Sequence, residues 1–273
     1  MLFRSFSLYE DLPLDYEAWD IDAYYLEKEP SHPELISSEV VDQGPLMVSV
    51  KQVYRAGSYS IVQFIKLYSQ GNSQSRLIEF ETEIDWNESQ KMLRVDFPVN
   101  VYASEANYEI QFGHVARPTH SNTSWDMAKF EVVAHKWADI SQPNYGVAIL
   151  NDCKYGHRIQ GNTISLNLLR SPLSPDPKAD RHKHQFKYAI YPHVGTHIEA
   201  RVVNVASEFN VPARFIKAIP SAGELESVGS FISCSSDNVI IDTIKQAEDG
   251  QDIIIRMYES AGIDCNVDIT TGS

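Results

Sequence analysis

Apolar residues recur at a spacing of two along most of this chain. That period, with no sustained period of 3.6, is what most constrains the fold. Met47-Val48-Ser49-Val50-Lys51-Gln52-Val53-Tyr54 and Ser60-Ile61-Val62-Gln63-Phe64-Ile65-Lys66-Leu67-Tyr68 set β-branched and aromatic residues at alternate positions, as half-buried strands require. A third run spans 76–86, and Gln70-Gly71-Asn72-Ser73-Gln74 supplies the Gly and Asn that suit a hairpin turn. The second and third runs are therefore expected to pair antiparallel. The same pattern continues through 92–97, 108–114, 130–135, 147–151, 164–169, 186–191 and 197–205, about ten strands at sandwich or barrel spacing. The Ala- and Glu-rich stretches that crossover helices need do not occur, which excludes a Rossmann or β/α-barrel architecture. The expected class is all-β.

Composition shifts near 206–220, where Ser207-Glu208-Phe209-Asn210-Val211-Pro212 reads as a connector. Two strand patterns follow, 238–245 and 252–258, joined by the hairpin signal Glu248-Asp249-Gly250. Asn266-Val267-Asp268-Ile269-Thr270 is expected to start a third. Two strands and a tail do not make a stable sandwich, so the division expected is 1–205 for one β-domain and 206–273 for a linker and the start of a second.

Charge and cysteine usage exclude several classes. The net charge of −14 and pI near 5.0 repel a phosphate backbone, and no dense Lys/Arg cluster offsets it, so nucleic acid is not an expected partner. No apolar run approaches the ~18 residues of a membrane-spanning helix, and no membrane partner is expected. The first twenty residues lack the apolar core of a secretory signal. Cys153, Cys234 and Cys265 are too few and too scattered for a disulfide framework or a cysteine zinc cage, which points to reduced thiols and the cytosol. Asn87-Glu88-Ser89 and Asn122-Thr123-Ser124 are glycosylation sequons of a kind that also arises by chance.

Several groups could carry chemistry. The aromatic and acidic run Tyr16–Tyr25 either stacks on sugars or packs its rings on the sheet. His182 and His184 would share a strand face, with His193 and His197 close by in sequence, but their spacing fits no metal motif, and no metal is assigned to them. Asp139, Asp152, Asp176 and Asp180 are carboxylates that could serve acid/base work, although Asp176 in Ser174-Pro175-Asp176-Pro177 reads first as a turn residue. Two loops hold the most information. Gln111–Asp126 is a long polar stretch leaving a strand, and long structured loops are often functional. In Tyr145–His157 an apolar strand ends abruptly in Asn151-Asp152-Cys153-Lys154-Tyr155, groups that either bind sugar hydroxyls or close an internally bonded turn.

At these loops the chain resembles the C-terminal region of family 38 α-mannosidases, particularly the cytosolic and vacuolar type. The resemblance is carried by Glu109-Ile110-Gln111-Phe112-Gly113-His114, Arg117-Pro118-Thr119-His120, Ala134-His135-Lys136-Trp137-Ala138-Asp139, Tyr145-Gly146-Val147-Ala148 and Asn151-Asp152-Cys153-Lys154-Tyr155-Gly156. Leu168-Leu169-Arg170-Ser171-Pro172, Pro175-Asp176-Pro177 and Tyr191-Pro192-His193-Val194-Gly195 follow in the same order. It implies a large antiparallel supersandwich of the galactose-mutarotase-like type, followed by part of a second β-domain. It also implies an N-terminal barrel and a helical domain outside this chain, with the zinc and the nucleophile in that barrel; no catalytic residue, cofactor or metal of this chain's own is expected. The implied role is to support and rim the active site of a retaining α-mannosidase acting on mannose-containing oligosaccharides, in the cytoplasm or vacuole, with Arg117, Asn151, Asp152, Lys154 and Tyr155 as rim candidates. A stand-alone carbohydrate-binding module is the alternative, and an apolar face without its barrel would favour self-association.

Overall fold

The computed structural model describes residues 5–69, 77–219, 223 and 228–272. Its strands, in chain order, are β1 (Ser5–Glu10), β2 (Glu34–Gln43), β3 (Met47–Ala56), β4 (Tyr59–Tyr68), β5 (Ile78–Asp85), β6 (Lys91–Pro98), β7 (Glu105–Ile110), β8 (Gly113–Pro118) and β9 (Val132–Val133). There follow β10 (Trp137–Gln142), β11 (Tyr145–Asn151), β12 (Gly156–Gln160), β13 (Thr163–Arg170), β14 (Lys183–His193), β15 (Ile232–Cys234), β16 (Val239–Gln246), β17 (Ile253–Glu259) and β18 (Ile269–Thr271). Two short α-helices, α1 (Ser124–Met127) and α2 (Val202–Asn210), and a 3-10 turn at Ala23–Glu27 complete the list. The fold is all-β.

The chain divides into two compact units, Met1–Ile110 with Val115–Asn210, and Gln111–His114 with Val211–Ser273. Two antiparallel sheets build the sandwich, one ordered β1-β6-β13-β12-β9 and one ordered β2-β3-β4-β5-β14-β11-β10-β7-β8. Alternation explains the layers. Tyr59, Ile61 and Gln63 of β4 and Phe80, Thr82 and Ile84 of β5 are buried on one face, each two residues from the next. Across from them stand Phe6, Leu93, Val95, Leu166 and Ile164 of the smaller sheet, all in one continuous core. Aromatic contacts knit the layers together: Phe97 meets Phe80 and Tyr188 at ring-centroid distances of 5.6 and 6.2 Å. Trp86, fully buried, donates from its indole N–H to the Ser171 hydroxyl at 3.2 Å. In the second unit β15 pairs with β18 and β16 with β17, the latter joined through Glu248-Asp249-Gly250.

β4 and β5 pair antiparallel from Ser60↔Asp85 to Lys66↔Glu79; the turn expected at 70–74 lies outside the described residues. Ala56 pairs with Tyr59 across a two-residue turn in which Gly57 has φ +51°, a conformation glycine adopts without steric cost.

Four segments depart from the sequence reading. Alternation at His197–Val205 suggests a strand, but β14 ends at His193 and the chain turns into α2. Val202, Ala206 and Phe209, at i, i+4 and i+7, bury one helical face, which outweighs the strand preference of the valines. Before α2 a turn is closed reciprocally: the Thr196 N–H and hydroxyl donate to Glu199 Oε2 at 2.8 and 3.1 Å, and the Glu199 N–H donates to Thr196 Oγ1 at 3.4 Å. The connector expected from 206 thus begins after Asn210. The strand expected at 130–135 is reduced to Val132–Val133, since it meets only Gly156 and His157 of β12. The expected 108–114 strand and the long loop after it are in fact a hairpin of β7 and β8, turning through Phe112 at φ +57°, followed by the capped helical turn α1.

Candidate functional site

Two cavities compete as the site, and their chemistry separates them. The larger, about 980 Å³, is walled mainly by apolar side chains such as Val50, Ile65, Phe80 and Phe97, with Gln52, Asn100 and Asn162 among its fewer polar groups. The smaller, about 200 Å³, is lined by Lys154, Tyr155, Asn167, Arg170, Asp180 and His184 among others. It lies below the ~300–1,000 Å³ that encloses a small ligand, so its residues form a shallow polar rim and not an enclosing pocket.

The rim begins where β11 stops. Asn151 folds the following loop back on itself: its Oδ1 accepts from the Lys154 N–H at 2.7 Å, and its Nδ2 donates to His135 O at 2.8 Å. Asp152 continues the ladder past the strand, donating its N–H to Lys187 O at 3.2 Å and accepting from the Lys187 N–H at 3.1 Å. The loop therefore presents Lys154 and Tyr155. The Lys154 ammonium lies 4.4 Å from the Phe186 ring centroid, and burial pulls its pKa down. Tyr155, more than half exposed, packs one edge of its ring at 5.5 Å from His135.

Arg170 forms the opposite wall at the end of β13 and reaches back to the start of the chain. Its Nε donates to Asp11 Oδ2 at 2.6 Å, and its Nη2 donates to Glu17 O at 3.0 Å and Asp20 O at 2.7 Å. Burial raises the Asp11 pKa even against the lowering effect of Arg170. Glu17 fastens the same segment from its other side, its carboxylate accepting from Gln90 Nε2 at 3.2 Å and from the Ser174 N–H at 3.1 Å. Held this way, the segment leaves Tyr16 and Trp19 each 74% exposed, two aromatic faces beside a polar rim. The third wall is the turn before β14, where Asp180, at φ +58°, accepts through its carbonyl from His184 Nε2 at 2.7 Å. Burial pulls the His184 pKa down.

Of the five rim candidates, Lys154 and Tyr155 line this cavity, while Asn151 and Asp152 shape the loop that carries them. Arg117 stands elsewhere, on β8, with its guanidinium carbon 4.9 Å from the Tyr108 ring centroid and its Nη1 buried without a partner among the described residues. Asn167, Arg170 and His184 were not among the candidates. A lone Arg closing an apolar strand is an ordinary surface pattern, and nothing nearby in sequence announces partners near residue 11.

His182 and His184 stack at a centroid distance of 3.9 Å. His193 instead pairs with Asp139 in the interior, Nε2 to Oδ2 2.7 Å, and His197 packs against Trp137. Asp139 is thus sealed from solvent. Asp176 closes a turn, accepting from the Lys178 N–H at 2.8 Å. The cavity's described lining holds a single carboxylate, Asp180, whereas a glycosidase needs a pair; no hydrolytic step is assigned to it. No helix among the described residues is long and apolar enough to cross a membrane.

The chain is similar to known proteins. The family 38 glycosyl hydrolase C-terminal domain matches residues 2–178, and the family's C-terminal beta sandwich domain matches residues 238–273. Alpha-mannosidase G of Dictyostelium discoideum is 43% identical over 261 residues, covering 93% of this chain and 24% of that protein. Human alpha-mannosidase 2C1 is 41% identical over 274 residues, with 96% and 25% covered, and the Saccharomyces cerevisiae alpha-mannosidase is 38% identical over 278, with 95% and 25% covered. The chain thus spans about a quarter of the length of these curated relatives. A solved alpha-mannosidase from Enterococcus faecalis V583 superposes with a TM-score of 0.80 over 99% of this chain and 34% of that one, at 14% identity, a likeness of fold. Matched by the family's C-terminal domain over more than half its length, the chain belongs to glycosyl hydrolase family 38, as part of that family's C-terminal region.

Proposed function

We propose that this chain supports and rims the active site of a retaining α-mannosidase that removes terminal α-mannose from oligosaccharides, the chemistry being supplied by a catalytic barrel outside the chain. The observation that carries the reading is the rim itself: Lys154, Tyr155, Asn167 and Arg170 gather donors and acceptors, and Arg170 fixes the exposed Tyr16 and Trp19 alongside them. Aromatic faces cover the apolar face of a pyranose while polar groups take its hydroxyls. In this reading the supersandwich domain expected over 1–205 runs on to Asn210, with α2 closing it, and the linker and the start of the terminal β-sandwich, expected from 206, follow from Val211 to 273. Exposed Leu35, Ile36, Val40 and Val41 on the edge strand β2 suit docking of the barrel and helical domain, or self-association where these are missing. The zinc of the full-length enzyme is assigned to the barrel, and no residue of this chain is given to it. Cys153, Cys234 and Cys265 are unpaired thiols, which suits a cytoplasmic or vacuolar protein.

The test is made in the full-length enzyme. Lys154→Met and Trp19→Ala should each lower kcat/KM on mannose oligosaccharides by about tenfold, the loss of about 1.4 kcal/mol of transition-state binding, with the melting temperature held. Unchanged kcat/KM in both variants would remove the rim role. The exposed Trp19 and Tyr16 also favour a second reading, a carbohydrate-binding module that works alone; saturable heat on titrating mannose oligosaccharides into the 273-residue chain would establish it.

A further inference from the structure

We infer that Asp180, His182 and His184 form a site for a divalent transition-metal ion of zinc-like softness. One ligand atom from each lies within 4.8 Å of the other two. An ion at the centre of such a triangle sits at most ~2.8 Å from each, and Zn–N bonds of about 2.0–2.1 Å require a contraction of roughly 0.7 Å. The two rings, stacked at 3.9 Å with 27° between their planes, must also splay apart for both lone pairs to meet one ion, a rotation open to His182 and His184 at this turn because the first is exposed and the second only half-buried.

The second observation is how the two rings are held. His182 Nδ1 donates to Lys183 O at 2.9 Å, and His184 Nε2 donates to Asp180 O at 2.7 Å. Since a carbonyl can only accept, each of those nitrogens carries the proton, and the lone pairs fall on His182 Nε2 and His184 Nδ1. Metal-bound histidines are oriented in this way, with the second ring nitrogen donating to a backbone carbonyl or carboxylate. The same Asp180 carbonyl also accepts from the His182 N–H at 3.0 Å, so the left-handed turn at Asp180 sets both imidazoles and its own carboxylate together.

Charge limits the affinity. Arg181 and Lys183 flank the histidines in sequence, and Lys154 interacts electrostatically with both Asp180 and His184. With one carboxylate against these cations, binding is expected in the micromolar range and not tighter. The ion would fasten the 171–182 connection to the first residues of β14 and so stiffen one wall of the rim, whether or not that rim meets sugar.

The experiment uses the 273-residue chain, stripped with chelator. Co²⁺ is titrated by visible absorption and ZnCl₂ by calorimetry, and each should show one equivalent bound with a rise in melting temperature on saturation. His182 is exposed, so His182→Gln should keep the chelator-treated melting temperature while weakening binding by about tenfold or more. Asp180→Asn should do the same. Absence of binding below about 1 mM, or an unchanged Kd in His182→Gln, would overturn the inference, the latter by placing the ion on other histidines.

Discussion

Arg170→Ala should loosen the rim and destabilise the first unit together. The substitution removes three bonds from the guanidinium and leaves the Asp11 carboxylate, 2% exposed, without its cation. Breaking a fully buried ion pair from one side costs about 3–5 kcal/mol. Because the Arg170 side chain retains 16% exposure, water can reach part of the vacated space, and the lower end, about 3 kcal/mol, is expected. For a unit of this size that corresponds to a melting temperature lower by roughly 6–12 °C. The pH dependence follows from Asp11, whose folded pKa is already raised by burial and rises further once Arg170 no longer opposes that effect. A raised folded pKa means the folded state binds the proton more tightly, so this contribution to stability is greatest in acid and is lost as the pH climbs through the folded pKa. The deficit of Arg170→Ala should therefore be smallest near pH 4 and full at pH 7.5, as read by equilibrium urea unfolding. A double-mutant cycle with Asp11→Ala isolates the pair, and limited proteolysis should find the segment around Tyr16 and Trp19 newly cleavable. A loss under about 1 kcal/mol at pH 7.5, with a cycle additive to within about 0.5 kcal/mol, would refute the reasoning.

Gly146→Ala places a Cβ against His193 Cε1 and 2.6 Å from Ser141 Cβ, a conflict between β11 and its neighbours that should cost about 3 kcal/mol and show as a lowered melting temperature. The Arg94–Glu131 pair, with Arg94 1% exposed, also receives the Tyr25 hydroxyl, which donates to Glu131 at 2.5 Å. Arg94→Met alone should cost about 3–5 kcal/mol in urea unfolding, and adding Glu131→Gln should recover part of that loss. His157 is buried in β12, where burial lowers its pKa to about 4. Its depressed folded pKa makes its contribution fully present above pH 6.5 and lost as the pH falls to about 4, about 3 kcal/mol in all. His157→Phe should flatten this acid limb in stability measured against pH.

The sandwich was legible because its strands are half-buried, so burial imprints a period of two on β4 and β5 directly. β2 escaped detection for the converse reason: each of its ten residues is exposed, and no burial shapes its pattern. α2 was hidden by Val202, Val203 and Val205, whose branched side chains favour strands in isolation, although Thr196 and Glu199 carried a capping signal at the right spacing. At the rim, Lys154 and Tyr155 stood out because an apolar strand ends there in polar residues. Arg170 did not, since its meaning depends on partners that only the folded chain brings near.

That dependence has a kinetic side. Arg170 bonds to residues 159, 153 and 150 positions away in sequence, so this wall of the rim cannot close until most of the first unit has been synthesised and β1 and β13 have both paired with β6 in the smaller sheet. Long-range closures carry the greatest entropy and lag behind hairpins such as β3–β4. A nascent chain released before Arg170 would hold the aromatic segment of Tyr16 and Trp19 without its guanidinium clamp, ready to be engaged by chaperones; the rim is among the last parts of the domain to mature.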